Sequence, residues 1–390
     1  MSAHQSLTTR HQPLIAAPRA AYVHVPFCRH RCGYCNFTLV AGRDDLIGDY
    51  LRAIELELQS LGEPREVDTL FFGGGTPTHL PAVDLRQLTK SVRRWFPLAA
   101  DYEFSVEANP ADLKPEMLDT LADSGVNRLS LGGQSFDAGK LRMLERDHSG
   151  DQLRDAVQRA KQKFAAVSLD LIFGVPGESL QIWQADLAAA LAIEPDHVST
   201  YGLTFERGTA FWSRLVEGEL GRLDEELERA MYAAAIDTLT TAGFEHYEVS
   251  NFARPGHRCR HNEVYWAGGG YFAVGPGAAR YVHGRREMNH RSTTTYLKRM
   301  LAGESPVAEC EILEPADRAR EMLVFALRRL EGIERTTFAA RTGFELDTLV
   351  GEPLSRMTEL GLLQDDGHRV RLTREGLFVS DAIWPKFLKR

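Results

Sequence analysis

The feature that most constrains this chain is a group of three cysteines, Cys28, Cys32 and Cys35, within eight residues. The alternating run Tyr22–Val25 precedes them and predicts a strand that leads into a short loop. Thiolates with this spacing can converge on one soft metal centre. In a cubane [4Fe-4S] cluster, three thiolates leave one iron without a protein ligand. The spacing therefore predicts a cluster with one iron open to a small molecule.

The alternative is a zinc site, which four protein ligands usually close. His30 and the distant Cys259 are the candidates for the fourth ligand. The spacing Cys-x-x-x-Cys-x-x-Cys differs from the paired Cys-x-x-Cys knuckles typical of zinc, so it favours the cluster.

Composition excludes several classes of protein. A chain of 390 residues with 43% hydrophobic content predicts two domains, and a net charge of −8 argues against a nucleic-acid binder. Five cysteines, three of them in one loop, make no disulfide framework and favour a reducing compartment. The segment 1–19 is polar and predicted to be disordered, without the apolar core of a signal peptide. No apolar run has membrane-spanning length. We therefore expect a soluble, cytoplasmic protein.

The chain from 20 to 250 alternates strands with helices six times, which predicts an α/β fold with a parallel sheet and right-handed crossovers. Six units are fewer than the eight of a closed barrel, so we expect a partial (β/α)6 TIM-like barrel. We expect residues 251–310 to form a connecting region, with a loop rich in His, Arg, Gly and aromatics at 257–290. Residues 311–390 predict a helical, winged-helix-like domain with a hairpin at Asp365–Gly367, which we expect to serve as a lid or docking surface rather than a DNA reader.

Polar residues follow or end these predicted strands. In TIM-like barrels, chemistry lies at the carboxyl ends of the strands. The signals at these ends are the cysteine loop, Gly73–Gly75, Glu107, Gln134 and Asp170. We therefore expect one site at this rim of the sheet.

The cysteine motif, with Tyr34 before its last cysteine, resembles that of the radical S-adenosylmethionine (SAM) enzymes. The flanking run from Tyr22 to Cys28 is similar to the oxygen-independent coproporphyrinogen III oxidase group, and the resemblance covers nearly the whole chain. It implies SAM on the open iron of a [4Fe-4S] cluster. The reduced cluster would break a carbon–sulfur bond of SAM, and the deoxyadenosyl radical would abstract hydrogen from a substrate.

The resemblance assigns a role to each polar signal. Gly74, Gly75 and Thr76 would hold the methionyl amino group, and Glu107 would bond the ribose of SAM. Taken alone, the triple glycine indicates a tight turn, and Glu107 could be a solvated carboxylate.

Further positions of the same group contact SAM, a second SAM in some members. The matching residues here are Gln134, Arg146 and Asp170. Tyr22 would lie beside SAM and Tyr34 would pack near the cluster. Without the resemblance, Gln134 could satisfy local backbone, whereas an Asp within the apolar strand 167–173 requires partners.

Two departures separate this chain from the coproporphyrinogen dehydrogenases. Those enzymes carry a fourth cysteine where this chain has Phe37, and a long extension before the first strand. The ending Cys-x-Phe and the run His261-Asn-x-x-Tyr265-Trp266 instead resemble a branch of haem chaperones. That likeness implies haem as cargo with His261 as an axial ligand, whereas the residues alone favour packing at a domain junction.

The expected partners are haem, haem-requiring acceptor proteins and a reductant protein such as flavodoxin or ferredoxin, with a homodimer also expected. Two other functions stay open: a coproporphyrinogen III dehydrogenase, and a radical SAM enzyme of unknown substrate. Whether the chain is an enzyme is left undecided at this point.

Overall fold

The computed structural model describes residues 17–388. The predicted disordered segment 1–19 therefore lies almost entirely outside the described residues. Within the described range, Arg19 forms ion pairs with Glu66 and Asp68, so the start of the sheet is fixed to the loop before the next strand.

Six parallel strands form the centre of the molecule, as predicted. Their near-continuous apolar stretches are buried, which is typical of a parallel sheet covered on both faces. Each strand pairs with the next one in the chain. They are β1 (Ala20–Val25), β2 (Val67–Gly74), β3 (Leu98–Ala108), β4 (Arg128–Gln134), β5 (Ala166–Phe173) and β6 (His197–Gly202).

Helices connect these strands at the predicted places. Ser149 caps one of them with a capping box that includes Gln152, and Asp224 caps another. The α-helices are Ile47–Gln59, Ala82–Trp95, Pro115–Asp123, Ala138–Met143, Gly150–Lys161, Leu180–Ala192, Ala210–Val216 and Glu225–Thr241. Short 3-10 turns occur at Asp44–Leu46, Pro77–His79 and Pro110–Asp112.

The sheet extends beyond the six predicted strands to nine. Phe272–Val274 pairs parallel with β1 at one edge. At the other edge, Asn251–Ala253 runs antiparallel to β6 and Glu245–Glu248 pairs outside it. The stretch from 257 to 290 was expected to be a loop, and that expectation is wrong: it holds the helix Arg260–Trp266 and the edge strand Phe272–Val274. Three-residue strands are too short to show a periodicity in the sequence.

The rest of the chain packs beside this sheet. An antiparallel sheet and a helix follow, at Ala279–Val282, Arg285–Asn289, Thr293–Leu301 and Val307–Ile312. The C-terminal helices are Pro315–Arg328, Arg335–Thr342, Leu346–Glu359, Arg374–Phe378 and Ser380–Phe387. Ile333–Glu334, Arg369–Leu372 and Leu363–Asp365 form a small antiparallel sheet.

The predicted hairpin is confirmed at its turn. The Asp366 side chain accepts hydrogen bonds from the N–H groups of His368 and Arg369, which closes the turn between the last two strands. Ion pairs join this region to the long helix Glu225–Thr241, through Arg374 with Asp237 and Arg229 with Glu375. Among the described residues, every helix is too short or too polar to span a membrane.

Candidate cluster and cofactor site

The cysteine loop begins directly after β1 and is curled by hydrogen bonds. The N–H of Cys35 donates to the carbonyl of Cys32 at 3.0 Å, and the N–H of Gly33 donates to the Glu145 carboxylate at 2.7 Å. Arg31 donates to the carbonyl of Leu39 at 2.8 Å, across the loop. All three cysteines line one cavity of about 400 Å³, named here the cluster cavity. The structure thus brings the three sulfurs to one space, as the spacing predicts.

Each thiol lies in a largely shielded environment. Burial raises the pKa of Cys28 to about 11 and raises the pKa values of Cys32 and Cys35. The Arg146 guanidinium acts in the opposite direction, and it donates to the Cys32 sulfur at 3.9 Å. The thiols are therefore protonated at neutral pH without metal, and cluster binding has to release their protons.

The zinc alternative would take its fourth ligand from His30, whose Nε2 lies 3.5 Å from the Cys32 sulfur. The same nitrogen lies 2.5 Å from the carbonyl oxygen of Glu145, which competes with metal binding. The Cys259 sulfur donates to Glu103 in a different part of the sheet. Within residues 17–388, no three His, Cys, Asp or Glu side chains are arranged around a single ion. Three sulfurs that share a cavity without meeting at one point fit a multi-iron cluster better than a lone ion.

The glycines after β2 are needed by the fold as well as by any ligand. A Cβ at Gly74 would lie 2.3 Å from the His24 ring, and a Cβ at Gly75 would lie 2.8 Å from backbone oxygens of the cysteine loop. Gly74 also has φ +108°, which favours glycine. Thr76 follows, with its hydroxyl 3.2 Å from the Cys28 sulfur. This turn therefore brings the second strand end against the cysteine loop.

Acidic side chains from the next strands face the same cavity. Glu107 at the end of β3 accepts a hydrogen bond from the Gly74 N–H at 3.0 Å. Burial, together with the smaller effect of the nearby Asp170 charge, raises the pKa of Glu107 to about 7. Burial also raises the pKa of Asp170, whereas Ser199 and Arg128 lower it. Two shielded carboxyl groups beside a cavity can accept hydrogen bonds from ligand hydroxyl or amino groups.

The cluster cavity collects most of the predicted site. Gln134 has φ +63° at the end of β4, and Arg146 donates to the Gly132 carbonyl at 2.8 Å. The predicted residues that line it are Cys28, Cys32, Tyr34, Cys35, Gly74, Gly75, Thr76, Glu107, Gln134, Arg146 and Asp170.

Sequence reasoning did not single out Ser130 and Tyr201, which line the same cavity. Ser130 lies on β4, and Tyr201 lies on β6 near the carboxyl end of that strand. The strand-end rule, applied to the sixth strand, would have found Tyr201.

Tyr22 and His261 lie elsewhere. They line a smaller cavity of about 210 Å³, named here the inner cavity, which also includes Glu107 and Asp170 and so adjoins the cluster cavity. The His261 ring is 1% exposed. Its Nδ1 lies 2.9 Å from the Thr69 hydroxyl and its Nε2 lies 2.7 Å from the Tyr265 hydroxyl. Burial lowers its pKa to about 3, so the imidazole is neutral.

Comparisons with known proteins show the family of this chain. Residues 22–188 match the radical SAM superfamily, and residues 313–379 match the HemN C-terminal domain. The chain is 34% identical to the heme chaperone HemW of Lactococcus lactis, over 96% of this chain and 98% of that protein. It is 36% identical to the heme chaperone HemW of Mycobacterium tuberculosis, over 95% of each.

The chain belongs to the HemW family of radical SAM proteins. A Bos taurus relative, the mitochondrial radical S-adenosyl methionine domain-containing protein 1, is 34% identical over 97% of this chain and 89% of its own length. The solved coproporphyrinogen III oxidase (HemN) of Escherichia coli matches with a TM-score of 0.84, over 95% of this chain and 90% of that one. Its identity of 22% shows a shared fold. Membership of the radical SAM superfamily implies a [4Fe-4S] cluster and SAM binding for this HemW-family chain.

Proposed function

We propose that this protein is a haem chaperone that binds haem and delivers it to haem-requiring proteins. The observation that carries the proposal is its full-length similarity to proteins named heme chaperones, at 33–36% identity. Coproporphyrinogen III oxidase shares the fold at only 22% identity. The cluster cavity also favours this function, because one of its lining residues is Phe37, which stands where the coproporphyrinogen dehydrogenases resemble one another in carrying a fourth cysteine.

The residues of the cluster cavity fit the groups that the superfamily implies. Cys28, Cys32 and Cys35 would hold the cluster, which supplies one electron to SAM when both are bound. Gly74, Gly75 and Thr76, which line this cavity, would hold the methionyl group, and the Glu107 carboxylate would bond the ribose hydroxyls.

The remaining side chains would shape this site. Arg146 places a positive charge near the sulfur of Cys32, and Tyr34 shields the loop beside Phe211. Gln134 and Asp170 complete the polar wall. Tyr22 would act through its neighbours, since its hydroxyl is 3.1 Å from His24 Nδ1.

The hydrogen bonds of His261 favour a role in positioning a neighbouring residue for haem binding. Both of its ring nitrogens have hydroxyl partners, and one of these partners is Tyr265 of the same motif. We infer that His261 fixes the position of Tyr265, and that axial ligation of iron by His261 requires Tyr265 to move away.

We also propose partner proteins and a cellular compartment for this protein. A reductant protein such as flavodoxin or ferredoxin would reduce the cluster, haem-requiring proteins would accept the haem, and a homodimer would be the working form. Five free cysteines, among the described residues, suit a reducing compartment such as the cytoplasm.

A paired experiment tests the function. Anaerobically reconstituted protein is titrated with haem, and a second sample receives SAM, a reductant and coproporphyrinogen III. We expect a shifted Soret band in the first sample and unchanged porphyrinogen in the second. Conversion to protoporphyrinogen with SAM consumption would support the dehydrogenase instead. Deoxyadenosine formation that is stimulated only by another metabolite would support the third function.

A further inference from the structure

A third cavity lies on the far side of Tyr265 from His261. It has a volume of about 420 Å³ and is named here the outer cavity. The helix Arg260–Trp266, the glycines after it, the sheet that begins at Ala279 and the helix Pro315–Arg328 form its walls. Its aromatic and sulfur-containing lining comprises Tyr22, Tyr265, Trp266, Tyr271, Tyr281, Met322 and Phe325.

We propose that the outer cavity is the haem site, with the Met322 thioether as an iron ligand and Arg318 as the partner of a propionate. This inference rests on the proposed function. It assigns the iron ligand and the propionate partner to residues outside the cysteine motif and outside the His-Asn-x-x-Tyr-Trp motif, whose Tyr265 and Trp266 form part of the cavity wall.

The shape of the walls suits a flat apolar macrocycle. The rings of Tyr265 and Tyr271 meet edge to face with centroids 4.6 Å apart, and Trp266 lies against Phe325 at 6.2 Å. Gly268 has φ +64°, and a Cβ there would contact Met322 at 3.5 Å. Aromatic side chains offer large, rigid apolar surfaces, and glycine leaves room for a ligand to approach the backbone.

The charges at the cavity suit a ligand with carboxylates. Arg286 is already paired, at 3.0 Å with Glu311 and at 2.6 Å with Glu321. Arg318 is half-buried and forms no ion pair with any residue of the described range 17–388. Arg318 is therefore a guanidinium of the cavity without a carboxylate partner among the described residues, and a guanidinium binds carboxylates in a bidentate geometry.

Among the groups in the cavity that could bind iron, Met322 has the fewest competing demands. The Tyr265 hydroxyl is held by His261 at 2.7 Å, and Glu321 is paired with Arg286. Burial raises the pKa of Tyr271, which disfavours the phenolate that iron would require. A thioether binds haem iron without losing a proton.

The position of the outer cavity connects cargo and cluster. It shares Tyr22 and Tyr265 with the inner cavity, which in turn shares Glu107 and Asp170 with the cluster cavity. The outer cavity is therefore linked to the cluster cavity through side chains that line the inner cavity.

Haem titration of full-length variants tests the proposal. We expect Arg318→Gln to weaken haem binding about 10-fold or more, the loss typical of a charged hydrogen bond. Met322→Leu should remove the absorption signature of methionine ligation, and Met322→His should restore a six-coordinate spectrum of a different form. The matched control is Arg86→Gln, which removes an exposed arginine on the distant helix Ala82–Trp95 and should leave binding unchanged.

The outcomes separate the two claims. If wild-type protein binds no haem, both the proposed function and this site are wrong. If the wild type binds haem but Arg318→Gln and Met322→Leu match Arg86→Gln in affinity and spectrum, the outer cavity is not the site, while the chaperone function stands. Unfolding midpoints measured beside each titration check the fold, and Arg318→Gln decides the question if the Met322 variants unfold.

Discussion

The Nε2 atom of His261 lies 2.7 Å from the hydroxyl of Tyr265, a residue that lines the outer cavity. The other nitrogen is bound to Thr69 on β2 at 2.9 Å. His261 therefore acts as a bridge between the sheet and the wall of the cavity. The sequence-based assignment of His261 as an iron ligand stays a prediction. Ligation through Nε2 would require the contact with Tyr265 to break.

The bridge predicts a specific loss of stability. His261→Ala removes a fully buried ring and leaves two hydroxyls without partners, so we expect the free energy of unfolding to fall by about 2–4 kcal/mol. Tyr265→Phe should cost about 1–2 kcal/mol and should not tighten haem binding. Urea denaturation and haem titration measure both effects. The control is Tyr102→Phe, which loses one hydrogen bond to the Gly125 carbonyl far from the cavity. Tighter haem binding by Tyr265→Phe would indicate that His261 is the ligand.

The raised pKa of Glu107 predicts that protein stability and SAM binding depend on pH. Its pKa of about 7 in the folded protein lies above the ordinary 4.5, so the folded state holds a proton that the unfolded state has released. The stability of the protein without ligands should therefore decrease as pH rises from about 4.5 through 7 at this residue. Binding of SAM by the ionised carboxylate should strengthen from pH 6 to pH 8.

Glu107→Gln is the matching variant. It should abolish that part of the pH dependence of both unfolding and SAM affinity, measured by urea denaturation and by calorimetric titration of the reconstituted protein. Identical pH profiles for wild type and variant would show that Glu107 does not titrate in this range, and an unchanged SAM affinity in Glu107→Gln would remove it from the ribose site.

A buried ion network supports the segment that carries Arg146. Lys140 donates to Glu178 at 2.5 Å and to Asp186 at 2.9 Å, and Asp186 also accepts from the Ser135 hydroxyl. Lys140→Met leaves two carboxylates buried without their cation, so we expect a loss of about 3–5 kcal/mol in the free energy of unfolding. Lys163→Met breaks an exposed pair with Asp119 and should cost less than about 1 kcal/mol. Similar losses for both would refute the network.

Three of the five cysteines line the cluster cavity, and the other two, Cys259 and Cys310, do not. Replacement of any one of Cys28, Cys32 and Cys35 by Ser should abolish the iron and sulfide content of reconstituted protein, because it removes one of the three cluster ligands. Cys310 is exposed on a strand remote from the cluster cavity, so Cys310→Ser should keep the full content. Iron and sulfide assays measure both. Zinc in place of iron, or full iron in a motif variant, would contradict the assignment.

The sequence allowed the parallel sheet to be predicted because its signals are local. Strands such as Val67–Gly74 and Ala166–Phe173 are largely apolar runs, each followed by glycine, and the alternation with helices defines their order. The gathering of Cys28, Glu107 and Asp170 into one cavity then follows from the rule that parallel strands present their carboxyl ends at one rim.

Other features depend on contacts between distant parts of the chain. The partner of His261 on β2 is 192 residues away, and no local pattern indicates that pairing. Phe272–Val274 becomes a strand because β1 offers a free edge. Met322 and Arg318 lie on a helix whose apolar spacing indicates burial without naming the surface it faces.

Transfer of haem to a waiting acceptor tests the central claim most directly. Haem-loaded, cluster-containing protein is mixed with the apo form of a b-type haem protein, and the Soret band of each is followed with and without a reductant. The account predicts that haem moves to the acceptor faster than it does from a haem–albumin control. Haem that stays on the chain, or moves no faster than from albumin, would contradict the chaperone function.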